Sequence, residues 1–140
     1  MNQPPVTAAS SFRILRIMWA AFLIHMGMVV FIAEYLSKGD VRPIDVFYYS
    51  FCAVVAVEVV VALILRNKLD PAYDALRLNA EDKAALVDRQ KLHVFLFAIS
   101  ESIVLFGFVL RFLGTPLPYC IPLYAVGVVL LLLSAPRELD

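Results

Sequence analysis

The chain holds two cysteines in 140 residues, Cys52 and Cys120. Both lie inside apolar segments and read as small buried hydrophobes rather than a disulfide. No Cys/His cluster has the spacing of a metal site. The formal net charge is zero, so no basic field invites nucleic acid. A phosphate loop, a nucleophile elbow and a metalloprotease pair are all missing from the sequence. No catalytic residue, metal or cofactor is therefore expected. No lipidation motif is apparent either.

What the chain has instead is apolar surface. It is 62% hydrophobic with a mean hydropathy of +0.84, whereas soluble domains run nearer 45–50% apolar. A chain of this length forms one domain, and so small a core cannot hide that much apolar surface. The excess is expected to face lipid.

Four apolar segments carry it, at about 17–36, 44–65, 92–113 and 117–133. Each approaches or exceeds the ~20 residues that span a bilayer. Arg13 and Arg16 precede the first. That run is too long for a signal peptide's apolar region, and no small-residue cleavage site ends it, so it reads as a first transmembrane helix. The expected fold is all-α: a single domain of four transmembrane helices arranged as two antiparallel hairpins. Gly39 fits a C-terminal cap on the first helix. Pro43 fits the first turn of the second, with Asp45 near its positive end. Gly114-Thr115-Pro116 closes the third and opens the fourth. Pro118 and Pro122 make the fourth begin in the interface or kink one turn in.

The connection 66–91 is polar and still helical in pattern. Asp70-Pro71 reads as N-cap and first helical residue. Asn79 reads as a second N-cap, followed by the acidic Glu81 and Asp82. A helix from near Ala80 is expected to run unbroken into the third span. Tyr73, Leu76, Ala80, Ala84 and Val87 form a modest apolar stripe. The connection reads as a solvated extension, or as a docking surface for a partner or lipid headgroups.

Orientation follows from the basic residues. Arg13, Arg16, Arg66, Lys68, Arg77, Lys83, Arg89, Lys91 and Arg137 lie on one side of a four-span arrangement; Lys38, Arg42 and Arg111 lie on the other. Both termini and the connection are expected in the cytoplasm, with a bacterial inner membrane as the location. Expected partners are the lipid bilayer and either further copies of the chain or other membrane-protein subunits.

Three titratable groups fall inside the spans: His25, Glu58 and Glu101. Each is eight to ten residues from a basic residue at the cytoplasmic end of its helix, or about 12–15 Å at the helical rise. Three helices thus bring a titratable group to one depth, which predicts a polar layer where His25 meets one or both glutamates. A lone carboxylate there is costly, so the acids are candidates for function. Ser100 and Ser102 flank Glu101, and their hydroxyls can donate to it or bond back to the helix. The candidate ion-binding set is Glu101, Glu58, His25, Ser100 and Ser102. The other reading of these groups is interhelical hydrogen bonding that fixes packing or subunit contact. His93 lies near the cytoplasmic boundary, about 12 Å from the level of His25, a poor match for a bis-histidine haem clamp. Trp19 and the tyrosines mostly fall near span ends, as an aromatic belt would. Met26 and Met28 read as packing.

The run Phe97-Ala-Ile-Ser-Glu101-Ser-Ile-Val-Leu-Phe106-Gly107-Phe-Val-Leu110 resembles the carboxyl-bearing helix of the ATP synthase proteolipid, subunit c. Glu101, Phe106 and Gly107 follow that family's order and spacing. The resemblance implies that Glu101 carries a proton or a sodium ion. It covers about one helix of four. The family's glycine-repeat inner helix has no counterpart here, and the connection before the third span is longer than the family's short polar loop. A faint echo between residues 25–31 and 100–106 makes a duplicated hairpin conceivable, although the acids do not repeat in it. The expected function is a non-catalytic subunit or oligomer with proton- or cation-binding carboxylates. The alternative is a structural accessory subunit whose buried acids make interhelical or intersubunit contacts.

The basic-residue bias makes a prediction about orientation. With Cys52 and Cys120 replaced, a single cysteine at Lys83 should react with a membrane-impermeant maleimide only after the cytoplasmic face is opened. Labelling of intact cells would invert the orientation.

Overall fold

A helix satisfies its own backbone polar groups within one segment, so it suits long apolar runs. The computed structural model describes residues 8–36 and 46–138. Among them are five α-helices and no strand: α1 Ala8–Leu36, α2 Val46–Asn67, α3 Leu69–Leu78, α4 Lys83–Phe112 and α5 Leu117–Leu133. By length and composition, α1, α2 and α4 could each cross a membrane; α5, at 17 residues, is shorter. The features expected at Gly39, Pro43 and Asp45 lie outside the described residues.

Helix α4 is the centre of the bundle, with α1, α2, α3 and α5 all packing against it. Helices α1 and α4 run parallel. Ser11 accepts hydrogen bonds from Arg89 and Gln90, and Glu34 accepts from Arg111, so α1 residues meet partners 77–79 positions later. Helices α2 and α5 run antiparallel to α4. Phe51 packs on Phe106 and Glu58 meets Ser102; Gly107 faces Tyr124, and Gly127 faces Ser100 and Val104. The long helices therefore alternate in direction, as expected. The pairing differs from two equivalent hairpins. α4 and α5 pack closely along their length, whereas α1 and α2 both lean on α4 and make little contact with each other. The faint sequence echo thus has no counterpart in packing.

The close α4–α5 contact depends on two glycines. A Cβ on Gly127 would sit 2.7 Å from the Ser100 carbonyl oxygen, and one on Gly107 would sit 2.6 Å from the Tyr124 ring. Their missing side chains let the two backbones approach. Between these helices the chain turns at Gly114, whose φ of 95° is strained for other residues. Pro116 caps α5 and Pro118 lies in its first turn. Pro122 lies one turn further in, where it leaves the Pro118 carbonyl without its helical donor.

Two helix starts move from their expected places. α3 begins at Leu69, one residue before Asp70, with Lys68 at the N-cap. The chain leaves α2 through a single non-helical residue, so α3 inherits near-helical backbone and needs no side-chain cap. Asn79 ends α3 instead of starting α4, and its side chain accepts from the Glu81 N–H. Asp82 is the true N-cap of α4 and accepts from the Ala84 and Ala85 N–H groups. From Lys83 the helix runs unbroken to Phe112, as expected apart from its start. The stripe is rephased by this turn. Tyr73 and Leu76 are buried, but Ala80, Ala84 and Val87 are exposed; Ala85, Leu86 and Arg89 face inward in their place.

Large apolar side chains remain on the outer surface, among them Ile17, Ile24 and Phe31 of α1 and Val46, Val57 and Ile64 of α2. Gly127→Ala should cost about 1–3 kcal/mol, because the new methyl meets backbone that cannot yield. Gly27 has nothing within 4 Å of its Cβ position, so Gly27→Ala should be neutral or slightly stabilising. Thermal unfolding of both variants checks the pair.

Candidate functional site

Three successive residues of α4 face three neighbours. An α-helix turns about 100° per residue, so Ser100, Glu101 and Ser102 point in three directions. Glu101 meets His25 of α1 through its Oε1 and the imidazole Nδ1. Ser102 donates to Glu58 Oε1 of α2 at 2.9 Å. Ser100 is fully buried toward α5 and donates back to the Leu96 carbonyl at 2.8 Å.

The expected polar layer thus forms as two separate pairs. His25 reaches Glu101, while Glu58 is held by Ser102. Of the two courses expected for Ser100, its hydroxyl takes the bond back to its own helix, and its backbone carbonyl lies under Gly127. The two acids also differ in surroundings. Glu58 has one oxygen bonded to Ser102, and its buried Oε2 has no hydrogen-bond partner. The His25–Glu101 pair is more open, with side chains 53% and 23% exposed. An imidazole nitrogen set against a carboxylate oxygen lets the two side chains share a hydrogen bond that joins α1 to α4.

Toward the far ends of α1 and α4, Arg111 grips Glu34 with both arms of its guanidinium. Nε donates to Oε1 at 3.0 Å and Nη2 to Oε2 at 3.3 Å, while Nη1 reaches the Thr115 carbonyl. Glu34 was not among the candidates. Its i, i+9 separation from His25 gave no signal, since nothing in sequence shows which α4 residue a parallel α1 will meet.

At the opposite end a second network joins α3, α4 and the end of α5. His93 Nδ1 lies 3.0 Å from the Ser134 carbonyl oxygen, which can only accept. The proton therefore sits on Nδ1, and Nε2 accepts from the Tyr73 hydroxyl at 3.1 Å. The same hydroxyl oxygen accepts from the Arg137 backbone N–H at 3.0 Å. His93 is buried and belongs to this end network, well away from His25. Trp19 also departs from the belt reading: its indole N–H donates to the Leu131 carbonyl at 2.9 Å. Tyr124 is buried against Gly107 rather than placed at an edge. Tyr35, Tyr49 and Tyr119 stay on the surface. Met26 is buried in the core, as packing would have it, while Met28 is exposed.

Among the described residues, no group of three or more His, Cys, Asp or Glu side chains converges as a metal site would. No family model, curated protein or solved structure matches this chain.

Tyr73→Phe removes one hydroxyl and leaves both His93 Nε2 and the Arg137 N–H unpaired. It should cost about 1–3 kcal/mol. Denaturant unfolding measures it, and an unchanged midpoint would show that water replaces the hydroxyl at both partners.

Proposed function

We propose that this protein is a small polytopic membrane protein, a non-catalytic subunit or oligomer, whose Glu101–His25 pair binds a proton or a cation midway through the bilayer. The observation that carries the reading is the pairing itself. A carboxylate and an imidazole from two helices meet where both helices are otherwise apolar. Ionisable groups in such surroundings are costly unless paired, and they mark ion paths and proton relays by default.

Three further points support it. Three helices are long and apolar enough to cross a membrane, and their outer faces keep large apolar side chains exposed. Glu101 stands in the stretch that resembles the proteolipid's carboxyl-bearing helix. Glu58 supplies a second carboxyl on the neighbouring residue's other contact, with an oxygen left to accept a proton or a donor. In this reading the neutral imidazole of His25 hydrogen-bonds to the Glu101 carboxyl and Ser102 orients the second acid. The basic ends of α1, α2 and α4 face the cytoplasm.

The Ser102–Glu58 bond also favours a second reading for that acid alone: glue between α2 and α4. A hydrogen bond between helices in apolar surroundings contributes about 0.6 kcal/mol on average, enough to set rotation without any ion.

A hydrophobic carbodiimide tests the proposal, because it adds to a carboxyl group that carries its proton. Mass mapping should find the adduct on Glu101, and Glu101→Gln should abolish it. Protection by excess sodium would identify the cation. No adduct on Glu101 over a broad pH range, together with unchanged membrane behaviour of Glu101→Gln, would sink the ion-binding role.

A further inference from the structure

We propose that a groove at the start of α1 and α4 seats the phosphate of an anionic phospholipid. The groove has a volume of about 600 Å³ and is lined by Phe12, Arg13, Arg16, Ala80, Arg89 and Glu138. Three of these carry positive charge and one carries negative charge, so the lining is net basic. The inference rests on the membrane reading given above.

The three arginines are organised, not merely near one another. Arg13 and Arg16 stand three residues apart on α1 and so share a face. Both are exposed. Arg89 is fully buried, with its Nη2 donating to Ser11 Oγ at 3.0 Å and its guanidinium 5.6 Å from the Tyr73 ring centre. Gln90 donates to the same hydroxyl at 3.0 Å. These bonds lock the first turns of α1 onto α4, so the groove is formed before a ligand arrives. A preformed site spends less ordering entropy on binding. Guanidinium groups match phosphate oxygens with parallel donors.

The surroundings favour a lipid over a free anion. Directly beyond Arg13 and Arg16, α1 turns apolar, and Ile17, Ile24 and Phe31 remain exposed along it. A phosphate held by the arginines would leave its acyl chains lying on that apolar track. An inorganic phosphate would gain nothing from it. Phe12, in the groove itself, offers the first apolar contact. In a bilayer this end of α1 sits at the headgroup level, where anionic lipid is concentrated and basic side chains bind it.

Native mass spectrometry of the intact chain in detergent tests this, with phosphatidylglycerol and phosphatidylcholine titrated in parallel. Phosphatidylglycerol should bind more tightly, with one adduct filling first. Each arginine near an anionic headgroup contributes about fivefold, so Arg13→Ala with Arg16→Ala should weaken that adduct by more than tenfold. Arg13→Lys with Arg16→Lys should lose part of it, since charge survives but the fork does not. Arg77→Ala, on the exposed face of α3 beside Asp74, should leave it unchanged. Equal affinity for the two lipids, or equal loss in the Arg77 variant, would overturn the site. Displacement of phosphatidylglycerol by inorganic phosphate at matched concentration would assign the groove to a soluble anion. If the alanine pair fails to fold, the wild-type lipid preference and the phosphate competition decide alone. Alkaline carbonate extraction separates the two readings. A chain released from membranes removes the membrane reading, whereas an embedded chain without lipid preference removes only this site.

Discussion

The rotation of α4 is the constraint on which the rest of the structure depends. At about 100° per residue, neighbouring side chains cannot serve the same partner helix. Glu101 and Ser102 therefore reach α1 and α2, while Ser100 bonds back within α4 and its backbone carbonyl lies under Gly127 of α5. One short stretch sets the side from which every other long helix approaches. It also separates the two acids, because the partners of Glu101 and Ser102 lie on different helices. A common polar layer of three groups would need Glu101 to face both α1 and α2 at once.

Backbone groups follow an equally strict rule. The last four carbonyls of a helix have no intrahelical donor, and α5 ends against the rest of the bundle. Two side chains from elsewhere satisfy its end: the Trp19 indole at Leu131 and the His93 imidazole at Ser134. Tyr73 continues the same chain of bonds to Arg137. The end of α5 is thereby tied to α1, α3 and α4 together. This explains why two residues that suggest a membrane belt and a cofactor ligand in sequence serve as caps. Along the middle of α5, Gly107 of α4 and Gly127 of α5 let the two helices lie close enough for these bonds to form.

The polar groups of the molecule fall into levels along the α1–α4 seam. Arg89, Gln90 and Ser11 tie one end, His25 and Glu101 the middle, and Arg111 and Glu34 the other end. The outer two join groups that are charged or polar at helix ends. The middle one joins titratable groups deep within apolar helices, where pairing matters most. Its side chains are partly exposed, whereas one carboxylate oxygen of the half-buried Glu58 is closed off.

The sequence by itself marked out an all-helical fold, which among the described residues includes three helices long and apolar enough to cross a membrane. Apolar runs of membrane-spanning length admit no other economical backbone, and Gly114 with Pro116 marks the turn between α4 and α5 because of their fixed dihedral preferences. It also singled out His25, Glu58, Ser100, Glu101 and Ser102, since a polar side chain in an apolar run stands out without any structure. Tertiary structure alone decided who meets whom. Periodicity reports which residues share a face of one helix and says nothing about which helix will cover that face. Hence Ser100 turned inward under Gly127, Glu34 emerged as the partner of Arg111, and His93 became a cap. Local choices between near-equal caps were also settled by packing. Asp82 starts α4 where Asn79 had the same chemistry, because burying Ala85, Leu86 and Arg89 against α1 and α3 requires that phase.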